Sequence, residues 1–563
     1  MKHRPLWRAS LTSMMVSGWL LAALGCANNN NDDIAAIEYQ CGNIEPDPSA
    51  PRCGAGDPLL PPEPTLPADP TDPTCILKAT RVTPPDGQVL DEPTDAATAA
   101  TTLDTMRIQA ALASCAVVKL VTDGNYNAFL SGHIDLSGKT IWVDAGVTLF
   151  ASRNPDLYQS TGNCGVLGVN DSAACTDFIT VSGTSPALVG DGTIDGQGGE
   201  PLVGRAYSWW QMSYALREID GSIGNPTLIN TKAGTHGFLL YRLTIHNSPK
   251  FHVKVTSSPA AGIGPGVCDQ EPYGAGFIVW GITLLTPSKW FNSAGFQLTP
   301  SFARNTDGVD PGTTSYAYCG VIACNTISTG DDHVAIKGGH GVSNLTIAHN
   351  HFGTGHGMSI GSETYGSSVV GGVTIAGVQN VHVYDLTVDA DSRTIGLTAS
   401  ASDFNGIRVK SDESRGGIVN NIKYEDVCMR DMVNAVLIST AYNPLFAGNS
   451  YPDFRNLSFH NVHHVSCMGK QPPIVRLSGY NATLEPTITL DNFVIDNINP
   501  AIGVSTSFAN INVGPGDTNL MPIPMGHDVT VTDTRDPANP TTPKTCQFPK
   551  LPTQSGRPDG WKF

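Results

Sequence analysis

Short apolar runs recur along most of the chain, separated by turns rich in Gly, Asp, Asn, Ser and Thr. VVKLVTD, KTIWVDAGVTLFAS, DFITVSG and PALVGDGTIDG come first. Phe238–Ile245, Phe277–Leu284, Val381–Val388, Ile422–Met429, Leu457–Val462 and Ile488–Val494 follow. Apolar runs this short, bounded by turn formers, predict strands rather than helices. One stretch repeats itself openly: Ile322–Ile327 reads IACNTI and Ile347–Phe352 reads IAHNHF, which sets Asn325 and Asn350 25 residues apart. A unit of that length with one short strand and polar turns predicts an all-β solenoid in which each repeat is a rung.

The same interval organises the chemistry of Ser301–Ser362. Asp331 and Asp332 stand side by side, Asp307 lies 24 residues before Asp331, and His356 lies 25 after it. Neighbouring strands lie about 4.8 Å apart. Residues recurring at the repeat interval therefore stack, placing Asp307 beside Asp332 and Asp331 beside His356. Groups scattered over some fifty residues become one cluster on one face.

Other segments depart from the strand pattern. Thr102–Ala113 (TLDTMRIQAALA) predicts the best helix of the chain, with Leu103, Met106 and Ala110 at helical spacing and Thr102 as cap. A short helix ahead of many strands suits a plug over the open apolar end of a solenoid. Residues 27–74, Pro/Asp-rich from about Glu45, predict an extended linker. The solenoid is expected over residues 75–515 and an irregular tail over 516–563. The longest insertions, Ser257–Ala275 and Ser288–Arg304, fall just before Asp307, where loops would shape a site.

Composition narrows the function classes. Apolar residues make up 40% and charged ones only 15%, with 59 Gly and 40 Pro, a balance that suits strands and long turns. A net charge of −17 argues against nucleic-acid binding, which needs Lys/Arg stripes, and requires local cations for any anionic substrate. Residues 1–26 read as a signal peptide, MKHRPLWR being basic and LTSMMVSGWLLAALG apolar. Cys26 after Gly25 resembles a bacterial lipoprotein cleavage box, with Ala23 where Leu is usual; an ordinary cleaved leader is the alternative. The protein is expected to be secreted or held at the cell surface, with a membrane link only through such a lipid. Setting Cys26 aside leaves 12 of the 13 cysteines, an even number suited to disulfides. Spacing suggests Cys41–Cys53, Cys75–Cys115, Cys164–Cys175, Cys319–Cys324 and Cys428–Cys467, and leaves the connectivity open. No CxxC pair supports a zinc site, and neither metal nor cofactor is expected.

Crowded carboxylates beside a His fit glycoside hydrolysis, in which one carboxyl keeps a proton for the leaving oxygen and another activates water. In IRVKS, Arg408 and Lys410 lie two apart, on one side of a strand. Arg grips a carboxylate bidentately, which points to a uronic-acid sugar.

Asn305-Thr306-Asp307, Gly330-Asp331-Asp332, Gly355-His356-Gly357 and Arg408-Val409-Lys410 resemble, in order and spacing, the signature motifs of polygalacturonases, glycoside hydrolase family 28. GTIDGQG at Gly192–Gly198 and NSPKFHV at Asn247–Val253 extend the resemblance, which covers roughly Lys78 to Tyr442. It implies a single-stranded right-handed parallel β-helix that hydrolyses α-1,4 galacturonosidic bonds with inversion and without metal. Asp331 would be the general acid, Asp307 and Asp332 would hold the water, and His356 would keep Asp331 protonated. Asn305 would support the site, Arg408 and Lys410 would bind the substrate carboxylate, and Tyr442 would contact sugar. His333 stands where the family commonly has Cys, and Val409 where Ile is more frequent.

Each motif alone has a plainer reading: NTDG is a common turn, an Asp pair is usually solvated, and a His between glycines can be packing. Their joint occurrence at rung spacing favours a site. Lys337, His340, His349 and His351 read as structural or solvent-facing. The alternatives are a calcium-dependent pectate lyase and a non-catalytic polysaccharide-binding β-helix. Within the family the two insertions favour exo over endo attack, on the expectation that they wall off one end of the groove. A monomer acting on pectin oligosaccharides is expected.

Overall fold

The computed structural model describes residues 41–45, 52–217, 224–257, 276–313, 315–370, 373–390, 404–442, 448–467, 472–536 and 543–556. The leader with Cys26 lies outside them, as does nearly all of the Ser257–Ala275 insertion.

The chain coils into a right-handed parallel β-helix, each turn laying its strands on those of the turn before. One face is an 11-stranded parallel sheet running in sequence order from Ile134–Ser137 to Val504–Ser507. Its register shows how alternation builds both core and site. Val253, Val309, Val334, Met358, Ile407, Val436, Val475 and Val504 pair in succession and point inward. All eight are buried, and each contributes about 1.5–3 kcal/mol of apolar burial. The next residue along each strand must face outward. That outward column runs Lys254, Asp310, Ala335, Ser359, Arg408, Leu437, Arg476 and Ser505. We call this face the cleft sheet.

The remaining long sheet forms the back of the coil and holds the repeat seen in the sequence. Ala317–Ala323 pairs with Val342–Ala348, and Thr326–Ser328 with His351–Phe352. Between the paired strands the backbone turns a corner through left-handed residues, Cys324 at φ 61° and His349 at φ 54°. The next position is Asn325 or Asn350, both fully buried. The Asn325 side-chain amide donates to Asn350 Oδ1 at 2.9 Å, and Asn350 donates to the Ile322 carbonyl at 2.9 Å.

The strands expected from the sequence form, but four other expectations are corrected. The N-terminal cap is two helices, Ala96–Thr102 and Thr105–Ser114, broken at Leu103–Asp104. Thr102 ends the first rather than capping the second, and Asp104 is the second's N-cap. Its buried face is Ile108, Ala111 and Leu112, while Met106 is 64% exposed. The Asp104 carboxylate is occupied by Arg81, Arg107 and the Leu130 amide, so the helix docks in the phase that keeps those pairs.

Where the supposed linker falls within the described residues, it is a strap. Residues 52–74 lie along the back of the coil, where Cys53 joins Cys324, Glu63 accepts from the Tyr241 hydroxyl, and Asp57 meets His349 and Tyr384. Proline stiffens this segment, but its acidic residues have fixed partners. The tail is likewise ordered in part: Val529–Asp533 adds a strand to Ala509–Val513, and Phe548–Pro549 pairs with Asn43–Ile44.

The disulfides Cys75–Cys115 and Cys164–Cys175 match the expected local pairs. Cys41–Cys53, Cys319–Cys324 and Cys428–Cys467 do not form. Instead Cys41 joins Cys467, Cys53 joins Cys324 and Cys428 joins Cys546. Both straps cross rungs, so their partners are distant in sequence and local spacing misleads.

Candidate active site

A cleft of about 1340 Å³ runs over the cleft sheet, and all eight residues singled out from the sequence line it: Asn305, Asp307, Asp331, Asp332, His356, Arg408, Lys410 and Tyr442. Most of the acidic and histidine groups come from turns entering successive strands. The Gly308 amide donates to the Asp332 carbonyl at 2.9 Å, and the His356 amide to the Asp331 carbonyl at 2.8 Å. Asp307 therefore stacks on Asp332, and Asp331 on His356. Gly357, at φ 86°, permits the tight turn: a Cβ there would lie 2.2 Å from the Gly406 carbonyl oxygen.

The carboxylates differ in what holds them. Asp332 accepts from Lys410 Nζ at 2.7 Å, Arg408 Nη1 at 3.2 Å and Ser359 Oγ at 2.6 Å. Burial alone would raise its pKa, but Lys410 and Arg408 hold it below the usual carboxylate range. Asp331 bonds His356 Nδ1 at 2.9 Å and accepts from the Asn305 amide at 3.1 Å. It too is buried, and the His356 imidazolium with Lys410 keeps it low. Asp307 is different. Its Oδ2 lies 3.7 Å from Lys337 Nζ, and its buried Oδ1 has no hydrogen-bond partner. Burial and the charges of Asp310 and Asp331 push it well up. Asp310, fully buried with neither oxygen hydrogen-bonded, is raised by burial to about 7 against the pull of Lys337 and Lys254.

The remaining predicted groups complete the wall. The Tyr442 ring stands with Lys410 Nζ 5.1 Å and the Arg408 guanidinium 5.7 Å from its centroid. Asp331, Asp332 and His356 present ligand atoms within 4.8 Å of one another. Those atoms are engaged by Lys410, Arg408, Ser359 and the Asp331–His356 bond, so the donor set suits protons and cationic side chains better than a metal ion.

Sequence reasoning missed several residues. Lys337, read as structural, lies in the cleft between Asp307 and Glu363, 3.7 Å from each. Its outward position at the end of Val334–Ile336 was the available signal. His340 also lines the cleft, whereas His349 braces Asp57 and Asp385, and His351 bonds Thr387. His333, the departure from the family pattern, is a brace. Its Nε2 donates to the Gly353 and Thr354 carbonyls at 3.0 and 3.1 Å, and Nδ1 accepts from the Gly357 amide at 3.1 Å. Burial lowers its pKa to about 4, so it stays neutral and fixes the turn carrying His356.

A cleft lined by paired carboxylates, a His and fixed cations on a parallel β-helix defines a polysaccharide-cleaving class. Residues 117–513 match the model for glycosyl hydrolases family 28, and the chain belongs to that family. It is a glycoside hydrolase. It is 36% identical over 487 residues to a polygalacturonase of Ralstonia nicotianae, covering 81% of this chain and 83% of that one. An endo-polygalacturonase of Pectobacterium parmentieri is 36% identical, with 69% of this chain and 83% of that one covered. Among solved structures, the polygalacturonase from Erwinia carotovora ssp. carotovora aligns at TM-score 0.53 and 28% identity, over 80% of this chain and 97% of that one.

Proposed function

We propose that this protein hydrolyses α-1,4 bonds between galacturonic acids in polygalacturonate, with inversion and without a metal ion. The observation that carries the reading is the division of labour among the stacked carboxylates. Asp331 is hydrogen-bonded to His356, Asp332 is gripped by Lys410 and Arg408, and Asp307 lines the same cleft with one buried oxygen left without a hydrogen-bond partner.

In this reading the substrate carboxylate takes up Arg408 and Lys410, weakening their hold on the Asp pair. The proton on His356 then moves to Asp331, which donates it to the leaving glycosidic oxygen as the C–O bond breaks. Asp307 and Asp332 orient a water on the opposite face; it adds to the anomeric carbon and loses a proton to them. Asn305 holds Asp331 in place, and Tyr442 contacts sugar at the mouth. A calcium-dependent lyase fits less well, because Lys337, Arg408 and Lys410 already neutralise the carboxylates that a cation would need.

On the mode of attack, exo action keeps one support: the 288–304 insertion lines the cleft through Phe296, Gln297 and Thr299. Endo action has a stronger one. The cleft extends from Phe251, just before Val253–Val255, to Tyr442, just after Asn434–Ser439, so it continues on both sides of the Asp331 rung. On that ground we favour internal cleavage. Incubating the protein with polygalacturonate and chelator tests both levels. Rapid viscosity loss with mixed oligomers is expected. Monomer or dimer accumulating at high viscosity would overturn endo action, and no new reducing ends would overturn the hydrolase.

A further inference from the structure

Beyond Tyr442 the cleft sheet continues into a second cavity of about 450 Å³, lined by Arg476, Tyr480, Phe508 and Glu413 among others. Arg476 occupies the same outward column as Arg408, with Leu437 between them in register. Two strand spacings put their backbones about 10 Å apart. Arg476 is exposed and makes no ion pair among the described residues, although the chain carries a net charge of −17. Its neighbour Glu413 is already engaged, accepting from the Tyr480 hydroxyl at 2.5 Å. Tyr480 in turn packs against Tyr451 at a centroid distance of 5.3 Å, giving the cavity a fixed aromatic wall.

We propose that this cavity is a distal uronate subsite, in which Arg476 binds the carboxylate of a sugar several units from the bond being cut. The inference rests on the polygalacturonate reading above. The geometry follows from the coil itself: a chain lying along the helix axis over Arg408 and Lys410 is carried past Tyr442 onto the Tyr480 ring and the Arg476 guanidinium. An unpaired Arg supplies charge and planar donors for a carboxylate, and aromatic faces supply apolar platforms for the sugar rings. Only chains long enough to reach both clefts benefit.

The test compares KM for polygalacturonate and for short oligogalacturonates in the parent, Arg476→Ala, Arg476→Lys and Lys423→Ala. Lys423 is exposed on a back strand, so its loss removes the same charge elsewhere. Arg476→Ala is expected to raise the long-to-short KM ratio about 5-fold, with partial recovery in Arg476→Lys and no change in Lys423→Ala. An equal ratio in Arg476→Ala and Lys423→Ala overturns the subsite. A parent inert on polygalacturonate would instead overturn the proposed function and this inference with it.

Discussion

The back corner and the cleft turn are built by the same repeat of about 25 residues, with opposite results. At the back, Asn325 stacks on Asn350, and donor meets acceptor at every step: the Asn325 backbone amide and side chain both reach Asn350 Oδ1, and Asn325 Oδ1 accepts from the Ile282 amide. An amide is self-complementary, so stacking satisfies it. In the cleft, Asp307 stacks on Asp332, and a carboxylate is not self-complementary. The mismatch is offset by Lys337, Lys410 and Arg408 at neighbouring outward positions, and Asp307 keeps an unsatisfied oxygen. Repetition of a matched side chain yields stability; repetition of a mismatched one yields a reactive site.

The sharpest way to break this comparison is to remove one member on each side. Asp331→Asn is expected to lower kcat about 10³-fold or more while the melting temperature moves little; reducing-end release and thermal melts check it. Asn350→Ala should do the reverse. It removes the Asn350 acceptor of the buried Asn325 backbone amide and the Asn350 donor to the Ile322 carbonyl, costing about 2–4 kcal/mol in denaturant unfolding, with activity retained at low temperature.

Charge balance in the cleft sets two smaller effects. Asp310 has a folded-state pKa of about 7, above its unfolded value. Between about pH 4 and 7 the folded state therefore binds more protons, and its contribution makes stability fall as pH rises through that window. Asp310→Asn should remove this fall and melt higher than the parent at pH 8, as pH-dependent melts would show. Lys337 opposes the rise of the Asp307 pKa. In Lys337→Met the acid limb of kcat/KM should move up by about one pH unit, because Asp307 must be ionised to hold the water. Tyr442→Ala, at an exposed ring, should raise KM only a few-fold, within about 1 kcal/mol.

The rung architecture was legible because short apolar runs recur between polar turns, and because the Asn repeat fixed the interval. The same interval brought the Asp–His cluster together before any coordinates. Side-chain orientation was not legible. Lys337 looked like one more strand-end cation, and only the fold turns it toward Asp307. The straps were hidden for a different reason: Cys53–Cys324 and Cys428–Cys546 link segments 271 and 118 residues apart, where no local pattern exists. The helix phase was misread because Leu103 and Met106 carry the periodicity, whereas the Asp104 ion pairs decide the docking.

One measurement bears most directly on the claim that the mismatched carboxylates hydrolyse a polyuronate. A proton NMR time course of the protein with oligogalacturonate in chelator shows the configuration of the first product and any new double bond. The account expects a saturated reducing end that appears first as the β-anomer and then equilibrates. An α-anomer appearing first, or a vinylic proton from an unsaturated end, would contradict it.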